Sequence, residues 1–106
     1  MNKLRVGICG WGNVATGLFK TLQTNSVEIK KRSNLEIEII AIGARRDNPK
    51  CDPGNVIIER DIFNIIDHDI DVIVELIGGV DVARDLILKA LNAKKHVVTA
   101  NKAVIF

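Results

Sequence analysis

Apolar positions along the chain fall into short dense runs and longer, spaced stripes. Residues 3–9, KLRVGIC, alternate polar and apolar and then become wholly apolar, as a first sheet strand does. A glycine-rich turn follows. Val14, Leu18, Phe19 and Leu22 then recur at helical spacing. That helix either fades around Thr24–Ser26 or continues amphipathically to Arg32. Residues 36–44, EIEIIAIGA, form a second strand. The polar stretch RRDNPKCDPGN, residues 45–55, holds both prolines and reads as an irregular loop. VII at 56–58 is a candidate short strand, and Asp61 stands where it would cap a short helix burying Ile62, Ile65 and Ile66. Residues 71–77, DVIVELI, form a third long strand, which Gly78-Gly79 break. Asp81 offers an N-cap for a helix to about residue 93, with Ala83, Leu86, Ile87, Ala90 and Leu91 as its stripe. Residues 96–100 are the last strand.

Strands alternating with helices predict an α/β sheet with right-handed crossovers. The apolar fraction is 47% and mainly aliphatic, with 4% aromatic residues and no Tyr, which suits strands buried on both faces. A length of 106 residues allows one domain with a real core.

Charge and cysteine usage narrow the function classes. A net charge of +2 is too small to imply nucleic acid. The tightest basic cluster, Lys30-Lys31-Arg32, has no aromatic neighbour to stack a base and reads as a solvated helix end. The longest apolar run, near 70–77, is interrupted by Asp71 and Glu75, so no membrane span is expected. The N-terminus leads straight into a strand and not into a signal peptide, and the expected location is the cytoplasm. Cys9 in a strand and Cys51 in a loop read as free thiols, and no residues stand at metal-ligand spacing. His68 and His96 belong to no motif.

Three stretches carry candidate chemistry. The first is GICGWGNVATG, residues 7–17, in which Gly10-Trp11-Gly12-Asn13-Val14-Ala15 reads G-x-G-x-x-A between a strand and a helix. Gly10 permits the tight turn. Gly12 lets the backbone approach a pyrophosphate, and Ala15 is small enough for the helix to pack on the sheet. The helix N-terminus offers free N–H groups to phosphate oxygens, with Asn13 as an added donor. The competing reading is that the glycines serve only the bend.

The second stretch is the end of the second strand, where NAD-preferring enzymes place an acidic residue for the ribose hydroxyls. Here Arg45 and Arg46 stand, and guanidiniums suit a 2′-phosphate. That favours NADP, with NAD also open. The competing reading is that both arginines are exposed and paired with Asp47. The third stretch comprises VELIGG and VVTANK, which deliver small or polar residues to the edge where open α/β sheets bind ligands. Gly78-Gly79 leave room for a flat ring, and Lys102 is placed to aim an ammonium at the substrate side, or else is a surface lysine at a helix start. Glu75, inside an apolar run, needs a partner if buried, and reads as a structural hydrogen bond to a neighbouring loop.

DVIVELIGG at 71–79, ALNAKKHVVTANKA at 90–103 and the glycine turn together resemble the nucleotide-binding domain of homoserine dehydrogenases over nearly the whole chain. The resemblance implies a Rossmann-type, doubly wound, mostly parallel sheet with helices on both faces. It implies an oxidoreductase that reduces aspartate β-semialdehyde to homoserine with NADPH or NADH, in threonine, methionine and isoleucine biosynthesis. Gly10, Trp11, Gly12, Asn13 and Val14 would hold the pyrophosphate, and Arg45 or Arg46 the 2′-phosphate. Gly78, Thr99 and Lys102 would line the nicotinamide end. The resemblance makes Lys102 the catalytic candidate, lying between nicotinamide and substrate.

The chain departs from the family at Asn13, where Thr is usual, and at Ala15, where Gly is usual. Val82 replaces a frequent Pro, and Lys94 a helix-ending Gly. The family also carries a substrate domain beyond this region, so residues 1–106 are expected to be the cofactor domain, inactive alone, with a homo-oligomer formed through the further domain. The alternatives are another amino-acid or semialdehyde dehydrogenase of this fold, such as an aspartate dehydrogenase, and a non-catalytic NADP(H)-sensing module.

Overall fold

The computed structural model describes residues 2–77 and 81–99. Its elements run β1 (Asn2–Cys9), α1 (Asn13–Thr24), α2 (Ser26–Ser33), β2 (Leu35–Gly43), β3 (Ile57–Glu59), a 3₁₀ turn (Ile62–Asp67), β4 (Val72–Glu75), α3 (Asp81–Asn92) and β5 (His96–Thr99). The strands form one sheet in the order β3-β2-β1-β4-β5, and every neighbouring pair is parallel. Parallel neighbours need crossovers, and the crossovers bury both sheet faces. Val6, Ile8 and Ile42 meet Ala15 and Phe19 of α1 on one face. Ile73 and Ala41 meet Ile65, Leu86 and Ala90 on the other. Helices therefore flank both faces, as a doubly wound α/β sheet requires.

The chain winds outward from β1 to β2 and β3, then crosses back so that β4 lies on the other side of β1. The two halves diverge at the carboxyl ends of β1 and β4, the place where such sheets bind ligands.

β2 contains a register slip. Val6 of β1 pairs with Ile39, yet Gly7 pairs with Ala41, leaving Ile40 as an extra residue. Before the slip Ile37 and Ile39 pack on the α1 face. After it Ile42 and Ala44 do so, while Ile40 and Ala41 pack on the opposite face. Ile40 and Ala41, consecutive in the chain, therefore share one face.

Several elements differ from the expectations. The first helix ends at Asn25, inside the Thr24–Ser26 stretch where one of the two readings had it fade; the Asn25 backbone N–H and side-chain amide both donate to the Thr21 carbonyl, at 3.0 and 3.1 Å. The chain then restarts as α2, which buries no residue. Val14 is 67% exposed and no part of the buried stripe of α1; Ala15, Thr16 and Phe19 are its buried residues. β3 begins one residue later than predicted, and Ile66 is only partly buried. Asp61 caps as expected, accepting from the Phe63 N–H at 3.1 Å.

β4 stops at Glu75 and not at residue 77, because the Ile77 N–H turns back to the Glu75 carboxylate at 2.9 Å. Asp81 is inside the first turn of α3 and not before it, and Leu91 is 53% exposed and outside the buried stripe. The helix closes with Lys95 N–H on Ala90 O and Lys94 N–H on Leu91 O, at 3.0 Å each. This paired closure puts Lys94 in the left-handed region, φ 62°.

Candidate functional site

A cavity of about 450 Å³ opens at the carboxyl ends of β1, β2 and β4. That volume lies in the range of small-molecule sites. Gly10, Trp11 and Gly12 form one wall, Arg45 and Arg46 another, and Leu76 and Ile77 contribute apolar surface.

The two glycines of the turn are needed for different reasons. Gly10 has φ 107°, and a Cβ there would lie 2.7 Å from the Leu76 carbonyl oxygen. Its N–H donates to Gly43 O at 2.8 Å, tying the turn to β2. The fold itself therefore requires glycine at 10. At Gly12 an added Cβ would meet nothing within 4 Å. Gly12 is the N-cap of α1, with no side chain to cap it and no acidic residue in the first turn. The first backbone bond of the helix runs from Thr16 N–H to Gly12 O at 2.9 Å, leaving the earlier N–H groups without partners inside the helix. The helix thus offers a bare N-terminus beside open space.

The segment after β2, expected to be irregular, is tethered at many points. Ala44 N–H bonds Glu59 O at 2.9 Å, and the Asn48 side-chain amide donates to Trp11 O at 3.1 Å. Lys20 Nζ donates to Lys50 O at 3.1 Å. Cys51 is buried with Trp11 and Ala44 in the α1-side core, although it sits in a polar stretch. Trp11 meets Phe19 edge-to-face, centroids 5.3 Å apart. The glycine turn and the arginine segment are therefore held together as one wall.

Asp47 does not pair with Arg45 or Arg46. Its carboxylate takes the guanidinium of Arg60, which also donates to Ala44 O at 3.2 Å. Arg45 and Arg46 are exposed, and neither guanidinium has a side-chain partner among the described residues.

Of the predicted site residues, the structure brings Gly10, Trp11, Gly12, Arg45 and Arg46 around one cavity. Asn13 and Val14 are exposed at the start of α1, outside its lining. Thr99 ends β5, also outside the lining, and its hydroxyl donates to Glu75. Gly78 and Lys102 lie outside the described residues. Asn48 and Arg60 were not singled out by sequence, because each works through a partner distant along the chain. Their only local signal is a turn at Asn48-Pro49.

Glu75 is fully buried, bonded to the following loop through Ile77 and to the neighbouring strand through Thr99. Cys9 pairs beside it in the ladder. Burial, and then the Glu75 carboxylate, push the Cys9 thiol up to about 12. Both cysteines are free thiols.

Comparison with known proteins bears directly on this site. The family model "Homoserine dehydrogenase, NAD binding domain" matches residues 10–106. The chain belongs to this family. The homoserine dehydrogenase of Pseudomonas aeruginosa is 52% identical over 99% of this chain and 24% of its own length. That of Methylobacillus glycogenes is 42% identical over 99% of the chain and 26% of its own length. A crystal structure of the homoserine dehydrogenase from Thiobacillus denitrificans superposes with a TM-score of 0.87 at 36% identity, covering 98% of this chain and 25% of that one. One from Staphylococcus aureus gives 0.85 at 34% identity, covering 96% and 27%. The chain thus spans about a quarter of the length of these relatives. The resemblance drawn from sequence and the Rossmann-type fold class both hold. Membership makes a nicotinamide dinucleotide the ligand to fit here. The cavity, the bare helix N-terminus, the open side of Gly12 and the unpartnered guanidiniums all suit one. Among the described residues, no helix is long and apolar enough to cross a membrane.

Proposed function

We propose that the chain is the cofactor domain of a homoserine dehydrogenase that prefers NADPH and reduces aspartate β-semialdehyde to homoserine. The observation that carries this reading is the pair of unpartnered guanidiniums, Arg45 and Arg46, lining one cavity with the helix N-terminus at Gly12. Phosphate oxygens match both features: backbone N–H groups for the pyrophosphate and planar donor forks for a 2′-phosphate. An acidic residue at the Arg45 position would favour a free 2′-hydroxyl instead.

The bound dinucleotide supplies the hydride. The chain's own residues bind and orient it. Gly10, Trp11 and Gly12, with Asn13 and Val14 beside them, take the pyrophosphate side. Gly78 and Thr99 take the nicotinamide end. Lys102, three residues beyond β5, is assigned the positive charge that favours the developing alkoxide of the substrate. The greater length of the relatives fits a further domain, to which this reading assigns the substrate and the contact between identical subunits. This reading places the enzyme in the cytoplasm, in the biosynthesis of threonine, methionine and isoleucine.

Trp11 is the single Trp of the chain and lines the cavity, so its emission reports occupancy. Titration with NADPH is expected to quench it saturably, and at lower concentration than NADH does. A folded chain, verified by circular dichroism, that shows no saturable change at millimolar NADPH would sink the reading.

A further inference from the structure

The carboxylate of Asp47 stands on the wall of the cavity, directly after Arg45 and Arg46 in the chain. Left to itself it would do two unhelpful things for a phosphate ligand. It would compete for the neighbouring guanidiniums, and it would repel an incoming dianion. Asp47 pairs with neither of the two guanidiniums. Arg60 holds Asp47 through Nη2 and the Ala44 carbonyl through Nη1 at 3.2 Å. The Arg60 backbone is fixed as well: it follows β3 directly, and the Glu59 carbonyl before it accepts from Ala44 N–H at 2.9 Å. One guanidinium thus grips the segment at both ends of the Arg45-Arg46 pair. Its fork geometry is what lets it take a carboxylate and a carbonyl together.

We infer that Arg60 is a positioning residue for cofactor choice: by occupying Asp47 it keeps Arg45 and Arg46 available to the 2′-phosphate. This rests on the proposed NADPH reading. Arg60 does not line the cavity, so its effect runs through Asp47 and not through contact with the ligand. The ion pair itself is exposed, with side chains 52% and 85% accessible, and contributes little to fold stability. Its consequence is local competition for charge.

The test is a double-mutant cycle read by Trp11 emission, with NADPH and NADH titrated against the wild-type chain, Arg60→Ala, Asp47→Ala, and the Arg60→Ala, Asp47→Ala double variant. Arg60→Ala is expected to weaken NADPH about fivefold more than NADH, the upper end of what one exposed ion pair returns. Removing Asp47 in that background is expected to restore most of the NADPH affinity, since the competitor is gone. Equal weakening of both cofactors would overturn the inference, as would a selective loss that Asp47→Ala does not reverse. Arg60→Gln carries the same comparison should Arg60→Ala fail to fold, because Gln retains a donor for the Ala44 carbonyl without the charge. A wild-type chain that binds neither cofactor would overturn the functional reading and this inference with it. A wild-type chain that binds NADPH, with an Arg60→Ala variant indistinguishable from it, would overturn this inference alone.

Discussion

The Thr99 hydroxyl of β5 donates to the Glu75 carboxylate of β4, at a point where the two residues are register partners in the sheet. The other carboxylate oxygen takes the Ile77 N–H at 2.9 Å, so a fully buried acidic side chain is served from two directions. Ile77 lines the cavity, and Glu75 therefore sets the path of one wall. Thr99→Val keeps the shape and the β-branch but removes a donor. It is expected to cost about 1.5–3 kcal/mol in urea unfolding, the range for a hydrogen bond to a charged group. The same change made in a Glu75→Leu background should cost little, because its acceptor has gone. Additive costs would mean that the two side chains do not act as a pair.

Cys9 makes stability fall at alkaline pH. The unfolded thiol ionises near 9.0, while burial and the Glu75 carboxylate hold the folded one up to about 12. Between those values the unfolded chain releases a proton that the folded chain retains, so unfolding becomes easier as pH rises. With no Tyr present, no phenol titrates in that window. Cys9→Ala is expected to flatten the decline in unfolding free energy from pH 9 upward. An unchanged slope would assign the alkaline loss to other groups.

Lys94 occupies a left-handed position that glycine adopts without strain. Lys94→Gly is expected to stabilise the chain by about 1 kcal/mol, the cost of holding a Cβ-bearing residue there. That corresponds to a rise of about 4–8 °C in the thermal midpoint. A fall in midpoint would show that the Lys94 side chain contributes more than its backbone costs.

The Arg45→Ala, Arg46→Ala double variant tests the phosphate assignment directly. It is expected to lose NADPH affinity at least about tenfold more than NADH affinity, as removal of charge-assisted phosphate contacts implies. Equal losses for the two cofactors would place both arginines in general electrostatics and end the NADPH preference.

Lys102→Ala, made in the full-length enzyme, is expected to lower kcat by about 10²–10³ with cofactor affinity held within a few-fold. Lys102→Arg should not restore the rate, since a planar fork does not sit where a point charge sat. A normal kcat in the Ala variant would remove Lys102 from the chemistry.

Local signals made much of this fold legible. The strand cores of β1, β2 and β4 announce themselves as Ile/Val runs, Gly10 as a turn, and Asp61 as a cap, because each depends on residues a few positions away. Failures came where tertiary packing decides. Val14 has the helical spacing of a core residue, yet it sits in the first turn of α1 on the solvent side. Residues 45–55 form no helix or strand, as their loop composition suggests, but Arg60, Trp11 and Lys20 fasten them from outside. Composition carries no trace of such partners. The Arg45-Arg46 pair was visible as charge. That its neighbour Asp47 is engaged elsewhere was not, because the answer lies 13 residues further along the chain.

The register slip at Ile40 has a genetic consequence. A strand alternates sides at every residue, so its length fixes the side on which its end emerges. Ile40 is the residue that inverts this alternation midway along β2. A single-codon deletion there would leave the net charge untouched. It would also restore regular alternation, with Ile39 still opposite Val6 and Ala41 still opposite Gly7, so every residue from Ala41 to the end of the strand would keep its face. Loss of position 40 is thus a local change, while loss of a paired position in the strand exchanges the faces of all that follows or forces the pairing to slip. Reading frames that encode this domain should accept loss of the codon at position 40 more readily than loss of one at a paired position of β2.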